Sequence, residues 1–525
     1  MIIDFRELEA DATVTADICV VGGGAAGITL ALELAGSGLE VCVLESGGHS
    51  FDPEVQALAR GESVGVPYFP LEISRMRFLG GSTNHWGGWC APLSAIDFEH
   101  RDWVANSGWP FKRDDLLPYY QRAQSLCQLG PFRYQAVEWT DQHRGFPELD
   151  PTKLESPCWQ FSPPTRFGEV YREALEQAPN VRVLLHAHVT RLRANSESNA
   201  VEGVELTSLD GKKGRASARV YVAACGGLEN ARLLLLSGWP EGPGLGNQRG
   251  LVGRYFMEHP HLTIGTLVAA DPRAFSRTYT VFDRDGTHVV AGFAPSAEAQ
   301  RRERILNCGA TLVFRGDGTE KGYQAYRELW RSARQGQWPD KLGERVRSVM
   351  RDLGDVADGL RRPDGEPYVG AVGWTGLFLR SEQAPNPDSR VSLGDALDPF
   401  GLPFSRLDWR LLPEDKRVLR ATLRLIGEEL GRLGLGRAQI PEWLLAEDDT
   451  WPDNVTGGSH HMGTTRMGDG PATGVVDSDC RVHGVDNLYV AGSSVFPTSG
   501  HANPTLTLVA LAVRLAETLK GRLRA

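Results

Sequence analysis

Three glycines, Gly22, Gly24 and Gly27, and one acid, Glu45, are the residues of this chain whose types and spacing say most about chemistry. The glycines lie in Asp17-Ile-Cys-Val-Val-Gly-Gly-Gly-Ala-Ala-Gly27, and Glu45 closes the run Val41-Cys-Val-Leu-Glu45. Gly22 permits a tight turn, Gly24 lets the backbone approach a pyrophosphate, and Gly27 lets a helix lie against a strand. Ala25 and Ala26 open that helix, whose N-terminus faces the phosphates. Glu45 falls where a carboxylate accepts both hydroxyls of a ribose. The chemistry is dinucleotide binding. The glycine spacing alone is weak evidence; strand, glycines, helix, strand and terminal acid in that order are strong.

The elements that position these residues are legible around them. Ile18 to Val21 reads as a buried strand, Ala25 through Ala35 as a helix and Val41 to Glu45 as the next strand. Further strands are expected at Val181–Leu185, Val189–Leu192, Ala200–Ser208 and Ala216–Ala224, the last followed by Cys225-Gly-Gly227 and a helix through Leu236. Asp102 to Gly130 reads as a connection, turn and helix (Asp114 to Leu129). From Leu262 to Phe314 the alternation is that of a sheet, and Lys321 to Arg361 reads as a charged, amphipathic helical pair, solvated or serving as a lid or subunit contact. Strands resume at Gly370–Leu379 and Val391–Leu393, Pro413–Leu433 is an amphipathic helix, and Thr505–Leu519 is the last helix. The fold class is α/β: a Rossmann-like domain with a second domain of sheet and helices.

Length and composition narrow the function. At 525 residues two domains are expected, and no run of about eighteen apolar residues could span a bilayer. A net charge of −10 argues against nucleic acid as a partner. Eight cysteines with no CxxC pair suggest neither a zinc site nor a disulfide framework. The start, Met1-Ile-Ile-Asp-Phe-Arg6, lacks the pattern of a signal peptide, so a cytoplasmic location is expected, with export by a partner subunit left open. His259 and His261 flank Pro260 at metal-like proximity but without a third ligand, so no metal is expected.

Three further blocks carry polar groups: Phe78-Leu-Gly-Gly-Ser-Thr-Asn-His-Trp-Gly-Gly88, Gly458-Ser-His-His-Met-Gly-Thr-Thr-Arg-Met-Gly468, and Asn487-Leu-Tyr-Val-Ala-Gly-Ser-Ser494 with Phe496-Pro-Thr-Ser-Gly-His-Ala-Asn-Pro-Thr505. With the N-terminal fingerprint, these blocks resemble the glucose–methanol–choline (GMC) family of FAD-dependent oxidoreductases, most of all its branch of pyranose oxidases and bacterial sugar dehydrogenases. The resemblance extends to Ala224–Arg232, Gly253–His259 and Glu382–Val391.

That resemblance implies a cofactor, a reaction and a site. The cofactor is FAD, and the reaction is oxidation of an alcohol, on a sugar or glycoside, to the carbonyl. A flavin accepts the hydride and a neutral histidine the proton. The family's catalytic pair falls on His460, in the H-x-x-G-T segment, and on Asn503, which opens the last helix with Pro504 and Thr505. His461 and His501 are neighbours that could border the substrate, and His461 should point away from His460 if the chain is extended. Gln383 sits in a segment that lines the substrate face in sugar-active relatives. Cofactor contacts are implied at Gly80, Gly81, Ser82, Asn84, His85, Trp86, Gly87, Val189, Gly226, Gly492 and Ser493. His85 matches the histidine that fungal pyranose oxidases link to their flavin, but Gly87 departs from their pattern; non-covalent FAD is the expectation, with the covalent link as the alternative. Residues 1–105, 175–261 and 451–525 are expected to hold the cofactor, 262–450 the substrate, and 106–174 to connect them. Rival readings are the same chemistry on a non-sugar alcohol, a flavin-containing lyase, and a nucleotide-sensing module. The acceptor (oxygen, a quinone or a redox partner) and the oligomeric state are open.

Overall fold

Ala12–Val21 and Val41–Leu44 run parallel, and their register, Ile18 beside Val41 through Val21 beside Leu44, ends both strands at one edge with Gly22 and Glu45 adjacent. Ile18 to Val21 and all of Val41–Leu44 are buried, which is why these strands read as unbroken apolar runs. The computed structural model describes residues 1–141, 144–316, 322–334, 341–360, 372–446, 448 and 450–524.

The two strands lie within an eight-stranded sheet. Its parallel part runs Ile2–Asp4, Val181–Leu185, Val41–Leu44, Ala12–Val21, Lys213–Ala223, with Leu488–Val490 added alongside Tyr221–Ala223. Val201–Thr207 and His188–Ala194 extend it as antiparallel strands. Leu488–Val490 brings a segment from the far end of the chain to the same carboxyl edge as Gly22, so Gly492 and Ser493 converge on the turns after Ala12–Val21 and Lys213–Ala223. The carboxyl edge of a parallel sheet is where α/β folds bind ligands.

A second, four-stranded antiparallel sheet is ordered Cys308–Gly316, Val372–Ser381, His261–Ala269, Gly436–Gln439. The helix Pro413–Arg432 buries Val418, Leu419, Leu423, Leu425, Ile426 and Leu430 in the core that includes this sheet's Leu262, Leu377 and Leu379. A separate core lies around the large sheet.

The sheet-like stretch from Leu262 to Phe314 contains two helices that alternation does not reveal, Pro272–Tyr279 and Ala297–Glu303. Asp271 and Ser296 cap them, their side-chain oxygens accepting first-turn backbone N–H groups. Among the described residues the region read as a helical pair contains three helices, Gly322–Arg334, Leu342–Arg351 and Leu353–Leu360, while 321, 335–340, 361 and the expected strand start at 370 lie outside the described residues. The helix expected from Asp114 is Arg113–Leu126, and the last helix is longer than expected, Pro504–Arg524. Among the described residues no helix is long and apolar enough to cross a membrane, and all eight cysteines are free.

Candidate active site

The carboxyl edge of the large sheet opens into a cavity of about 560 Å³ that reaches from Glu45 and Val189 to His460 and Asn503. At one end the backbone is shaped for close approach. A Cβ on Gly27 would lie 1.9 Å from the carbonyl oxygen of Gly22, so helix Ala25–Leu34 can rest on its strand only with glycine there. Gly226, at φ +82°, has no neighbour within 4 Å of where its Cβ would stand; its hydrogen faces open cavity. Helix Ala25–Leu34 carries no acid in its first turn and no side-chain cap, and Gly226–Leu236 also lacks a side-chain cap. The N–H groups at such helix starts are free to meet an anion.

Glu45 is 5% exposed, and its carboxylate is fixed by the backbone N–H groups of Gly23 and Gly47, each 2.8 Å away. Each oxygen spends one lone pair on the backbone and keeps acceptor capacity toward the cavity it lines. Asn230, not foreseen from the sequence, ties the glycine turns together. Its Oδ1 accepts from the N–H of Cys225, and its Nδ2 donates to the carbonyl of Ala491 and to Ser494 Oγ.

At the other end, Met257 and Met462 form an antiparallel bridge, each N–H donating to the other's carbonyl at 3.0 Å. Alternation along these segments sets their side chains on opposite faces. On one face His460 Nδ1 lies 2.9 Å from His259 Nδ1, and His460 Nε2 lies 3.2 Å from Asn503 Nδ2. On the other, Tyr68 donates to Glu258 and lies 2.9 Å from His461 Nε2. The two adjacent rings diverge, as alternation predicts, yet both line the cavity.

Burial, with the charges of neighbouring groups, pushes His460 well below the ordinary imidazole range, and burial holds His259 at about 4 and His461 at about 3. Burial raises Glu258 to about 7, opposed by Tyr68 and the backbone N–H groups of Gly458, His259 and His460 that converge on its carboxylate. Arg380 is 2% exposed, with its guanidinium 4.3 and 4.4 Å from the rings of Trp89 and Trp159. It stands cross-strand from His261 and adds to the fields that keep His259, His261, His460 and His501 neutral.

The remaining expected residues divide. Ala25, Ala26, Gly81, Ser82, His85, Trp86, Gly87, Val189, Gly492, Ser493, Pro504 and Thr505 line the cavity. Gly80 and Asn84 shape its loop from behind: Gly80 N–H donates to the Gly23 carbonyl, and Asn84 Nδ2 to that of Leu79. Two expectations are corrected. Gln383 is fully buried and does not line the cavity, its Oε1 accepting from Glu258 N–H and Trp409 Nε1 and its Nε2 donating to the Arg410 carbonyl. His501 lies behind the wall, its ring 5.5 Å from that of Trp159. Among the described residues no three His, Cys, Asp or Glu side chains form a metal cluster.

Comparison with known proteins names this architecture. A family model described as "FAD dependent oxidoreductase" matches residues 17–382, and one described as "GMC oxidoreductase" matches 385–512. The chain belongs to the GMC family of FAD-dependent oxidoreductases. This flavoenzyme is 27% identical to 6'''-hydroxyparomomycin C oxidase of Streptomyces lividus, over 97% of its own chain and 92% of the relative. It is 21% identical to the fructose dehydrogenase large subunit of Gluconobacter japonicus, over 98% and 99%. A fungal aryl-alcohol oxidase structure superposes with a TM-score of 0.59 at 17% identity, over 99% and 100% of the two chains, which shows the shared fold.

The GMC oxidoreductase uses FAD to oxidise alcohol groups, and its residues fit that cofactor. Gly22 and Gly24 with the uncapped helix start suit a pyrophosphate, the fixed Glu45 suits a ribose, and the open face of Gly226 gives room. His460 and Asn503 stand together on the same cavity.

Proposed function

We propose that this flavoenzyme oxidises a hydroxyl of a sugar or glycoside to the carbonyl, with His460 as the base that takes the hydroxyl proton. The observation that carries the reading is the pair at the cavity wall, His460 Nε2 and Asn503 Nδ2 at 3.2 Å, on the cavity that Glu45 and the glycine turns also line. Bound FAD supplies the hydride acceptor. Neutral His460 offers a lone pair at Nε2, and the Asn503 amide donates to the hydroxyl oxygen, so the two groups hold one O–H between them. Asn503 Oδ1 is buried without a protein partner, leaving an acceptor for a further donor of the substrate. The Asn503-Pro504 start of the last helix presents its partial positive charge at the same wall.

Two relatives with near-full coverage, one named for a hydroxylated paromomycin and one for fructose, support a sugar or glycoside substrate. One is an oxidase and the other a dehydrogenase, so their names point to no single acceptor. We take FAD to be held non-covalently, by residues 1–105, 175–261 and 451–525, with 262–450 walling the substrate side. The test is anaerobic mixing of the holoenzyme with a panel of sugars, glycosides and simple alcohols while the flavin absorbance is followed. Bleaching by sugars or glycosides supports the reading. Bleaching by simple alcohols alone replaces the substrate class, and a flavin that no alcohol bleaches points to a lyase.

A further inference from the structure

We infer that His259 is a positioning residue that dictates which nitrogen of His460 carries hydrogen, leaving Nε2 bare toward the substrate. The inference rests on the reading of His460 as the base.

The placement follows from strand register. Met257 and Met462 exchange backbone hydrogen bonds, and two residues further along each segment His259 and His460 stand opposite each other on one face. Their Nδ1 atoms are 2.9 Å apart. Nε2 of His259 lies 3.3 Å from the carbonyl oxygen of Ser499. A carbonyl can only accept, so His259 Nε2 carries the hydrogen, and in a neutral ring Nδ1 is then the lone pair. His460 must therefore donate from its own Nδ1. A neutral His460 with hydrogen on Nδ1 has its lone pair on Nε2, the nitrogen 3.2 Å from Asn503 Nδ2. The opposite polarity would set two lone pairs, His259 Nε2 and Ser499 O, against each other in a buried site, at the cost of an unmade hydrogen bond.

The orienting partner is thus a neutral imidazole. Glu258, the neighbouring carboxylate, bonds the backbone N–H groups of both histidines and not their rings. When His460 takes up the substrate proton, its Nδ1–H stays bonded to the neutral ring of His259.

The experiment is ¹⁵N NMR of the FAD-loaded protein labelled at histidine, with the His460 signals assigned by their loss in His460→Gln. The expected spectrum shows a neutral His460 with a protonated Nδ1 and a bare Nε2. His259→Leu should mix the two tautomers of His460 and slow flavin reduction at least about tenfold, part of what general-base catalysis supplies. His259→Asn, whose Oδ1 stands near the place of Nδ1 and accepts the same hydrogen, should restore the tautomer and most of the rate. A wild-type His460 protonated at Nε2 overturns the inference, and so does a His259→Leu protein that keeps both its His460 spectrum and its rate. Should His259→Leu fail to fold, the wild-type spectrum still decides. If His460→Gln reduces its flavin at the normal rate while the wild type shows the Nδ1–H form, the base assignment has failed and the tautomer setting stands.

Discussion

The hydroxyl of Tyr68 lies 2.9 Å from Nε2 of His461 and hands its only proton to Glu258. Tyr68 therefore accepts from His461, and the Nε2 of that ring carries a hydrogen. Burial and the neighbouring Glu258 keep the Tyr68 phenol well above its ordinary range, so it stays protonated and is this donor and acceptor while Glu258 is ionised. Of two adjacent histidines on one cavity, His461 has its Nε2 committed and His460 has its Nε2 turned to Asn503.

His461→Ala and Tyr68→Phe should therefore leave anaerobic flavin reduction within about tenfold of wild type, far short of the 10²–10⁴-fold that a general base supplies. Single-turnover stopped-flow measurements check this. Loss of reduction in His461→Ala with near-normal reduction in His460→Ala would move the base one residue along.

The pH dependence follows from the neutral state of His460. A base works unprotonated, and burial with the charges of neighbouring groups pushes His460 well below the imidazole range. The reduction rate should hold as pH falls through about 6.5, where an ordinary histidine loses its lone pair to a proton, and decline only in more acid solution. A rate that halves near 6.5 would contradict a base held well below the imidazole range.

Glu45→Ala should weaken FAD retention by roughly 1.5–3 kcal/mol, the range for hydrogen bonds to a charged group. Gly23 and Gly47 would also lose the acceptor of their N–H bonds. Equilibrium dialysis of FAD measures the change, and a variant with undiminished affinity would remove Glu45 from the ribose.

His85 lines the cavity with its residue surface largely exposed, and partial burial with the nearby Arg166 lowers its pKa. The non-covalent reading predicts that acid precipitation leaves all yellow colour in the supernatant. Colour in the pellet, traced to a peptide containing His85, would establish the covalent link.

The dinucleotide half of the site was legible because each of its requirements is local. Gly22, Gly24, Gly27 and Glu45 sit within one βαβ unit, where spacing in sequence is spacing in space. The half proposed to be catalytic is long-range. Glu258 and His259 reach His460 and His461 through the Met257–Met462 bridge, Tyr68 joins them from a third segment, and nothing in the spacing of single segments encodes either meeting. His259 and His261 stand out in the sequence as a pair at metal-like proximity, and nothing local to them signals the ring-to-ring hydrogen bond of His259 with His460. Gln383 failed for a related reason: a glutamine near a substrate face looks the same in sequence whether its amide meets a ligand or, as here, Trp409 and two backbone groups. The helices at Pro272–Tyr279 and Ala297–Glu303 did have a local signal, their Asp271 and Ser296 caps, which the surrounding alternation masked.

The central claim, that His460 takes the proton as the flavin takes the hydride from a sugar hydroxyl, is tested most directly by anaerobic stopped-flow reduction of wild type, His460→Ala and Asn503→Ala with the best sugar or glycoside of the panel. The account predicts full FAD occupancy in all three, a loss of roughly 10²–10⁴-fold in His460→Ala, and a smaller loss in Asn503→Ala, which misplaces the hydroxyl without removing the proton acceptor. Reduction of His460→Ala at the wild-type rate, with its flavin fully bound, would contradict it.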